Sequence, residues 1–146
     1  MATISTITSI LAILIAIGSL GVSIYNVRRD RAHLKIKARY IPASEYGPDR
    51  IHVVMVNAGR RPVILRVIGG NDSQGKWSGT FLEHENGGMR LGEHERYERT
   101  FTKDDTVSLI PEAEDIIYDE LWVEDSLGVR HVVPDSKALL KQLWDA

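Results

Sequence analysis

The chain has 146 residues, 43% hydrophobic and 26% charged, with a formal charge of −2 and no cysteine. The missing thiols exclude disulfide scaffolds, thiolate metal sites and cysteine nucleophiles. The charge is uneven: residues 28–39 carry +5, whereas residues 40–146 carry twelve basic against nineteen acidic side chains, or −7. An acidic body lacks the basic stripe that phosphate-backbone binding needs, so no nucleic-acid partner is expected.

Met1 to Val27 contain no charged side chain, and Ile4 to Tyr25 are an apolar run of 22 broken only by Ser, Thr, Ala and Gly. As a helix the run spans roughly 33 Å, enough for a bilayer core of about 30 Å. Residues 1–27 are therefore expected to be a transmembrane anchor. A cleavable signal peptide is the competing reading, but the N-terminus lacks the basic residues that such peptides carry. Basic residues crowd the other flank instead: Arg28, Arg29, Arg31, Lys35, Lys37 and Arg39 against one acid, Asp30. The positive-inside rule then expects a single span in the inner (plasma) membrane, with the N-terminus outside and the C-terminal domain cytoplasmic. Within the basic juxtamembrane segment, 28–39, Arg28, Arg29, Arg31 and Lys35 suit anionic lipid headgroups.

The span carries a pattern. Ser5, Ser9, Ala12, Ala16, Ser19, Ser23 and Asn26 alternate in steps of four and three, and Ala2 extends them backwards. Residues so spaced form one helix stripe, and each of these is small or able to hydrogen-bond. Small residues let helices approach closely in lipid. The expected partners are the bilayer and, through this stripe, a second copy or another membrane protein.

Beyond the collar, period-two alternation dominates. Leu34, Ile36, Ala38 and Tyr40 alternate with Lys35, Lys37 and Arg39, predicting a strand with one wet face. Ile51 to Val56 predicts a second, Asn57 to Pro62 a turn, and Val63 to Ile68 a third strand ended by Gly69-Gly70-Asn71-Asp72-Ser73. Lys76 to Leu82 and Met89 to Leu91 flank Asn86-Gly87-Gly88 as an expected hairpin. Tyr97, Arg99 and Phe101 alternate next. Ile116 to Glu124 and Val129 to Val133 form a closing hairpin around Asp125-Ser126-Leu127-Gly128. Leu139, Leu140, Leu143 and Trp144 share one face of a short helix. The expected class is mainly β: an N-terminal transmembrane helix, then a seven-or-so-stranded antiparallel sandwich over residues 33–134, then an amphipathic helix over 135–146.

The order of span, basic collar, "VVMVNAGRRPVILRVIGG" and "LWVEDSLGVRHVVP" resembles small bacterial and phage single-span membrane proteins that carry an immunoglobulin-like (fibronectin-like) β-sandwich. The likeness lies in Val56 to Val63 and in Asp125 to Arg130. It implies an immunoglobulin-like fold and brings no activity with it. The cysteine pair and framed Trp of antibody domains are absent.

Catalytic grammar is sparse. There is no phosphate loop followed by a helix and no nucleophile elbow. Glu83-His84-Glu85 and Glu93-His94-Glu95 flank the Asn86-Gly87-Gly88 turn, which makes His84 and His94 weak metal candidates; a solvated hairpin with Glu85 beside Arg90 is the favoured reading. The acids Glu112, Glu114, Asp115, Asp119, Glu120, Glu124 and Asp125 lack calcium-loop spacing and read as a wet face. Arg60-Arg61 reads as an exposed turn. The aromatics Trp77, Tyr97, Phe101, Trp122 and Trp144 are expected in the core. No cofactor and no catalytic residue is expected. The leading reading is a non-enzymatic, membrane-anchored protein-interaction module. The alternatives are a bacterial or phage effector that acts on the bilayer, and a metal- or ligand-binding hydrolase.

Overall fold

A computed structural model describes residues 2–108 and 116–146, and the chain divides into two units, Met1–Arg31 and Ala32–Ala146. The first unit is a helix, α1 (Ala2–Arg29). Its segment Thr6–Val27, 22 residues of mean hydropathy 2.3, is long and apolar enough to cross a membrane. Its large apolar side chains are between 52% (Ile24) and 66% (Ile7) exposed. A helix that is apolar all round is stable only against lipid or other apolar partners.

The second unit is mainly β, built from β1 (Leu34–Ile41), β2 (Arg50–Asn57), β3 (Val63–Asn71), β4 (Trp77–Phe81), β5 (Met89–Leu91), β6 (Arg96–Phe101), β7 (Val107–Ser108), β8 (Ile116–Ile117), β9 (Glu120–Asp125) and β10 (Arg130–Val132), then helix α2 (Ser136–Asp145). One antiparallel sheet has the order β1-β2-β6. The other runs β10-β9-β3-β4, with β5 also on β3, and β7 pairs β8 separately. Alternation does the sorting. In β2, Ile51, Val53 and Met55 are fully buried while His52, Val54 and Val56 look outward. In β9, Leu121 and Val123 are fully buried and face the same core. Each such side chain contributes about 1.5–3 kcal/mol by leaving water.

Three local expectations change. β3 does not stop at Gly69 but runs through Asn71, because its neighbours come too close for side chains there. A Cβ on Gly69 would strike the Ser78 carbonyl, and one on Gly70 the Tyr118 ring. A bulge between Leu65 and Val67 shifts the pleat, so Ile68 joins the core while buried Val67 lies outside it. β4 and β5 do not form a hairpin with each other. Both pair with β3, at Val67–Asn71 and Val63–Leu65, and residues 82–88 loop out between them. Glu85 lies in a 3-10 turn (His84–Asn86) rather than opposite Arg90, whose partner is Ile64. Finally, Ile116 to Glu124 is two strands, split at Tyr118-Asp119.

Helix α2 closes the unit. Leu140 and Leu143 enter the core and Leu139 packs against it, as their spacing predicts. Buried Ser136, at its start, accepts the Leu121 N–H on Oγ at 3.2 Å, tying the helix to β9. Trp144 is 42% exposed and is not a core residue.

Candidate functional site

The stripe residues Ser9, Ala12, Ala16, Ser19, Ser23 and Asn26 all lie on α1 and are exposed. The side chains of Ser5, Arg28, Arg29 and His84 fall outside the described residues, as do Glu112, Glu114 and Asp115 altogether.

The outer face of the β1-β2-β6 sheet is set by pleat and register. Its rows across the three strands are Lys35-Val56-Arg96, Lys37-Val54-Glu98 and Arg39-His52-Thr100. Glu98 is the acid among them, and it is engaged twice: Oε2 lies 3.0 Å from His52 Nε2 and Oε1 lies 2.8 Å from Arg96 Nη2. Among the described residues, no acid pairs with Lys35, Lys37 or Arg39. Val54 and Val56 are half-buried between the basic strands. An open cleft of about 500 Å³ lies on this face, lined by Lys37, Arg39, Arg96, His52, Glu98, Ala38 and Val54.

The outer face of the other sheet is aromatic. Trp77 and Phe81 on β4 sit opposite Asn71 and Val67, and Trp122 on β9 sits opposite Gly69. Trp122 is 2% exposed, yet it stands outside the core cluster. Its cover is Trp77, edge-on at 5.8 Å between ring centroids, and the Arg130 guanidinium, 4.1 Å from the Trp122 centroid and 4.7 Å from that of Trp77. Arg130 Nε donates to Glu124 Oε2 at 3.1 Å, which steadies the guanidinium between the rings. Trp77, at 53% exposure, is therefore surface and not core, contrary to expectation. Phe81 and Val132 are likewise 57% and 52% exposed. Phe101 does take a core position, and Tyr97 is partly buried against the core. Strand parity carried the missing signal: Trp122 shares its parity with Glu120 and Glu124, not with Leu121 and Val123.

The two histidine tripeptides do not converge as a hairpin. His94 has φ +61, its N–H donates to the Asn57 carbonyl at 2.8 Å, and its Nε2 is 3.7 Å from Glu93. Among the described residues, no group of three or more His, Asp or Glu is placed to hold a metal ion. The same loops contain a contact that sequence reasoning missed. Asn57, fully buried at the end of β2, donates from Nδ2 to the carbonyls of Arg61 (2.8 Å), Leu91 (3.1 Å) and Gly92 (3.1 Å), and its Oδ1 accepts the Gly59 N–H at 3.0 Å. It clasps β2 of one sheet to β5 of the other.

Two carboxylates have shifted titrations. Asp49 accepts the Tyr40 hydroxyl and the Ala43 N–H on Oδ1, both at 2.7 Å. The shared phenol bond holds Asp49 below the usual carboxylate range and pushes Tyr40 up. For Asp125, burial pushes upward, but bonds from His131 (2.8 Å), Val129 N–H (3.0 Å) and Leu127 N–H (2.9 Å) outweigh it, so its pKa is lowered. These groups organise loops, with Asp125 closing the β9–β10 turn.

No protein-family model matches the chain, and no curated protein matches it. One solved chain, "X-ray structure of Northeast Structural Genomics Consortium target SoR45", is 14% identical over 72% of this chain and 82% of its own, with a TM-score of 0.30. A likeness of that degree carries no argument about fold or function, so any function must be argued from this chain's own surfaces.

Proposed function

We propose that the protein is a single-span, membrane-anchored, non-enzymatic interaction module. Its immunoglobulin-like domain lies in the cytoplasm, and its helix associates with a second copy or another membrane protein. The observation that carries this reading is the direct succession of a lipid-compatible helix, Thr6–Val27, by a two-sheet β unit with its own core. Support for the immunoglobulin-like reading comes from connectivity. The order β1-β2-β6 parallels A-B-E of a constant-type domain, and β10-β9-β3 parallels G-F-C. The exposed Trp77 and Phe81 add the kind of aromatic surface that protein interfaces favour.

Two measurements test it, and the absence of native cysteine makes both clean. A single cysteine at Leu127, 85% exposed, reacts with an impermeant maleimide only after the cells are opened if the domain is cytoplasmic. Reaction in intact cells overturns the orientation. Cysteines placed singly along α1 crosslink in membranes at Ser9, Ala16 and Ser23 but not at Ile13, Ile17 or Leu20 if the stripe is a helix contact. Uniform or absent crosslinking overturns self-association through it.

A further inference from the structure

The charge on the β1-β2-β6 sheet runs against that of the body that carries it. Residues 40–146 total −7, yet the outward positions of this sheet bring Lys35, Lys37, Arg39 and Arg96 around a strip floored by Val54 and Val56. On one strand face, alternate residues stand about 7 Å apart. Lys37 thus repels both Lys35 and Arg39 within a Debye length of about 8 Å. The one acid of these rows is already held by His52 and Arg96. A lysine-rich edge strand also discourages edge-to-edge pairing. That role covers β1 and β6, the two edges of this sheet, but it does not explain the cleft between them, floored by Val54 and open to solvent. Lys35 follows the last residue of α1 by six positions, and β1 continues in sequence the basic run that begins at Arg28.

We propose that the outer face of the β1-β2-β6 sheet is a docking surface for anionic phospholipid headgroups of a bilayer, with the basic side chains on the phosphate and carboxylate groups and the valine strip under the less polar glycerol region. The inference rests on the membrane-anchored reading above. It adds that the folded domain itself, and not only the juxtamembrane collar, engages lipid. Each basic residue near an anionic surface adds attraction, so discrimination between lipid compositions is steep.

The test places the full chain in nanodiscs of phosphatidylcholine alone or of a phosphatidylserine-rich mixture. It reads maleimide labelling of Thr100→Cys on this face and of Val132→Cys on the other sheet. The expected result is roughly tenfold slower labelling of Thr100→Cys in the anionic discs, with Val132→Cys unchanged. Protection should vanish near 1 M salt, where the Debye length is about 3 Å. It should also vanish in the Lys35→Glu, Lys37→Glu, Arg39→Glu triple variant; the salt arm decides the matter should that variant misfold. Equal labelling of Thr100→Cys in both discs overturns the docking. So does protection that ignores lipid charge and appears only on adding polyglutamate, which would assign the face to an acidic protein. A chain that leaves both kinds of disc overturns the anchor and the docking together, whereas a retained but unprotected chain overturns the docking alone.

Discussion

The two sheets turn different chemistries to solvent although both are built by the same alternation. On β1-β2-β6 the outward row is basic and open: Lys37 and Arg39 have no acidic partner among the described residues, and Val54 is only half covered. On β10-β9-β3-β4 the centre of the outward face is sealed, with Arg130 stacked over Trp122 and Trp77 until Trp122 is 2% exposed. Trp122 of the second sheet is therefore structural, while the basic side chains of the first stay open to solvent. A charged residue on a strand becomes scaffold when an aromatic neighbour and a counter-ion occupy it, and ligand surface when they do not.

Substitutions test this contrast, beginning where the effect is largest. Trp122→Ala removes a large side chain buried on an outer face and should destabilise the domain by about 3–5 kcal/mol, measured as a lowered Tm in detergent or nanodiscs. A change near zero would mean that the aromatic layer is not structural. Asn57→Ala breaks the clasp between the sheets and leaves buried backbone groups unpaired, costing about 2 kcal/mol by the same measurement. Arg130→Ala should cost about 1–2 kcal/mol and shift the Trp122 emission to the red as its cover is lost. An unshifted spectrum would place the cover elsewhere.

The pH response is smaller. Asp125 titrates below its ordinary value in the folded chain, so its contribution is present above the unfolded carboxylate pKa and is lost as pH falls through the lower folded value. Asp125→Asn should flatten the acid limb of a Tm-against-pH curve and leave neutral pH behaviour little changed apart from a weakened β9–β10 turn. Smallest of all, Lys37→Glu and Arg39→Glu should move stability by no more than about 0.5 kcal/mol, because nothing in the fold depends on those charges. A large loss there would make the basic face structural and erase the contrast.

Much of this architecture was legible along the chain. The uncharged run announced α1, and Leu34 to Tyr40 and Ile51 to Val56 announced β1 and β2, because alternation over several residues leaves one pairing face. Gly69-Gly70 misled, since glycine serves both as a chain breaker and as a place where a neighbouring strand or ring must come close. The Glu-His-Glu tripeptides suggested a hairpin because the turn between them was legible, while both flanking strands pair with β3 instead, β5 across the separation from Leu65 to Met89. Of the candidate lipid residues, Lys35 is placed on the basic face together with Lys37 and Arg39. Arg96, from a strand sixty residues later, could be added only by register.

The sequence by itself determined the membrane-compatible helix, the basic collar and the alternating strands, because hydropathy and period are local properties. The tertiary structure alone decided which outward residues stay open and which seal one another. Whether Arg130 meets two indole rings or Arg39 meets none depends on strand neighbours that only long-range pairing brings together.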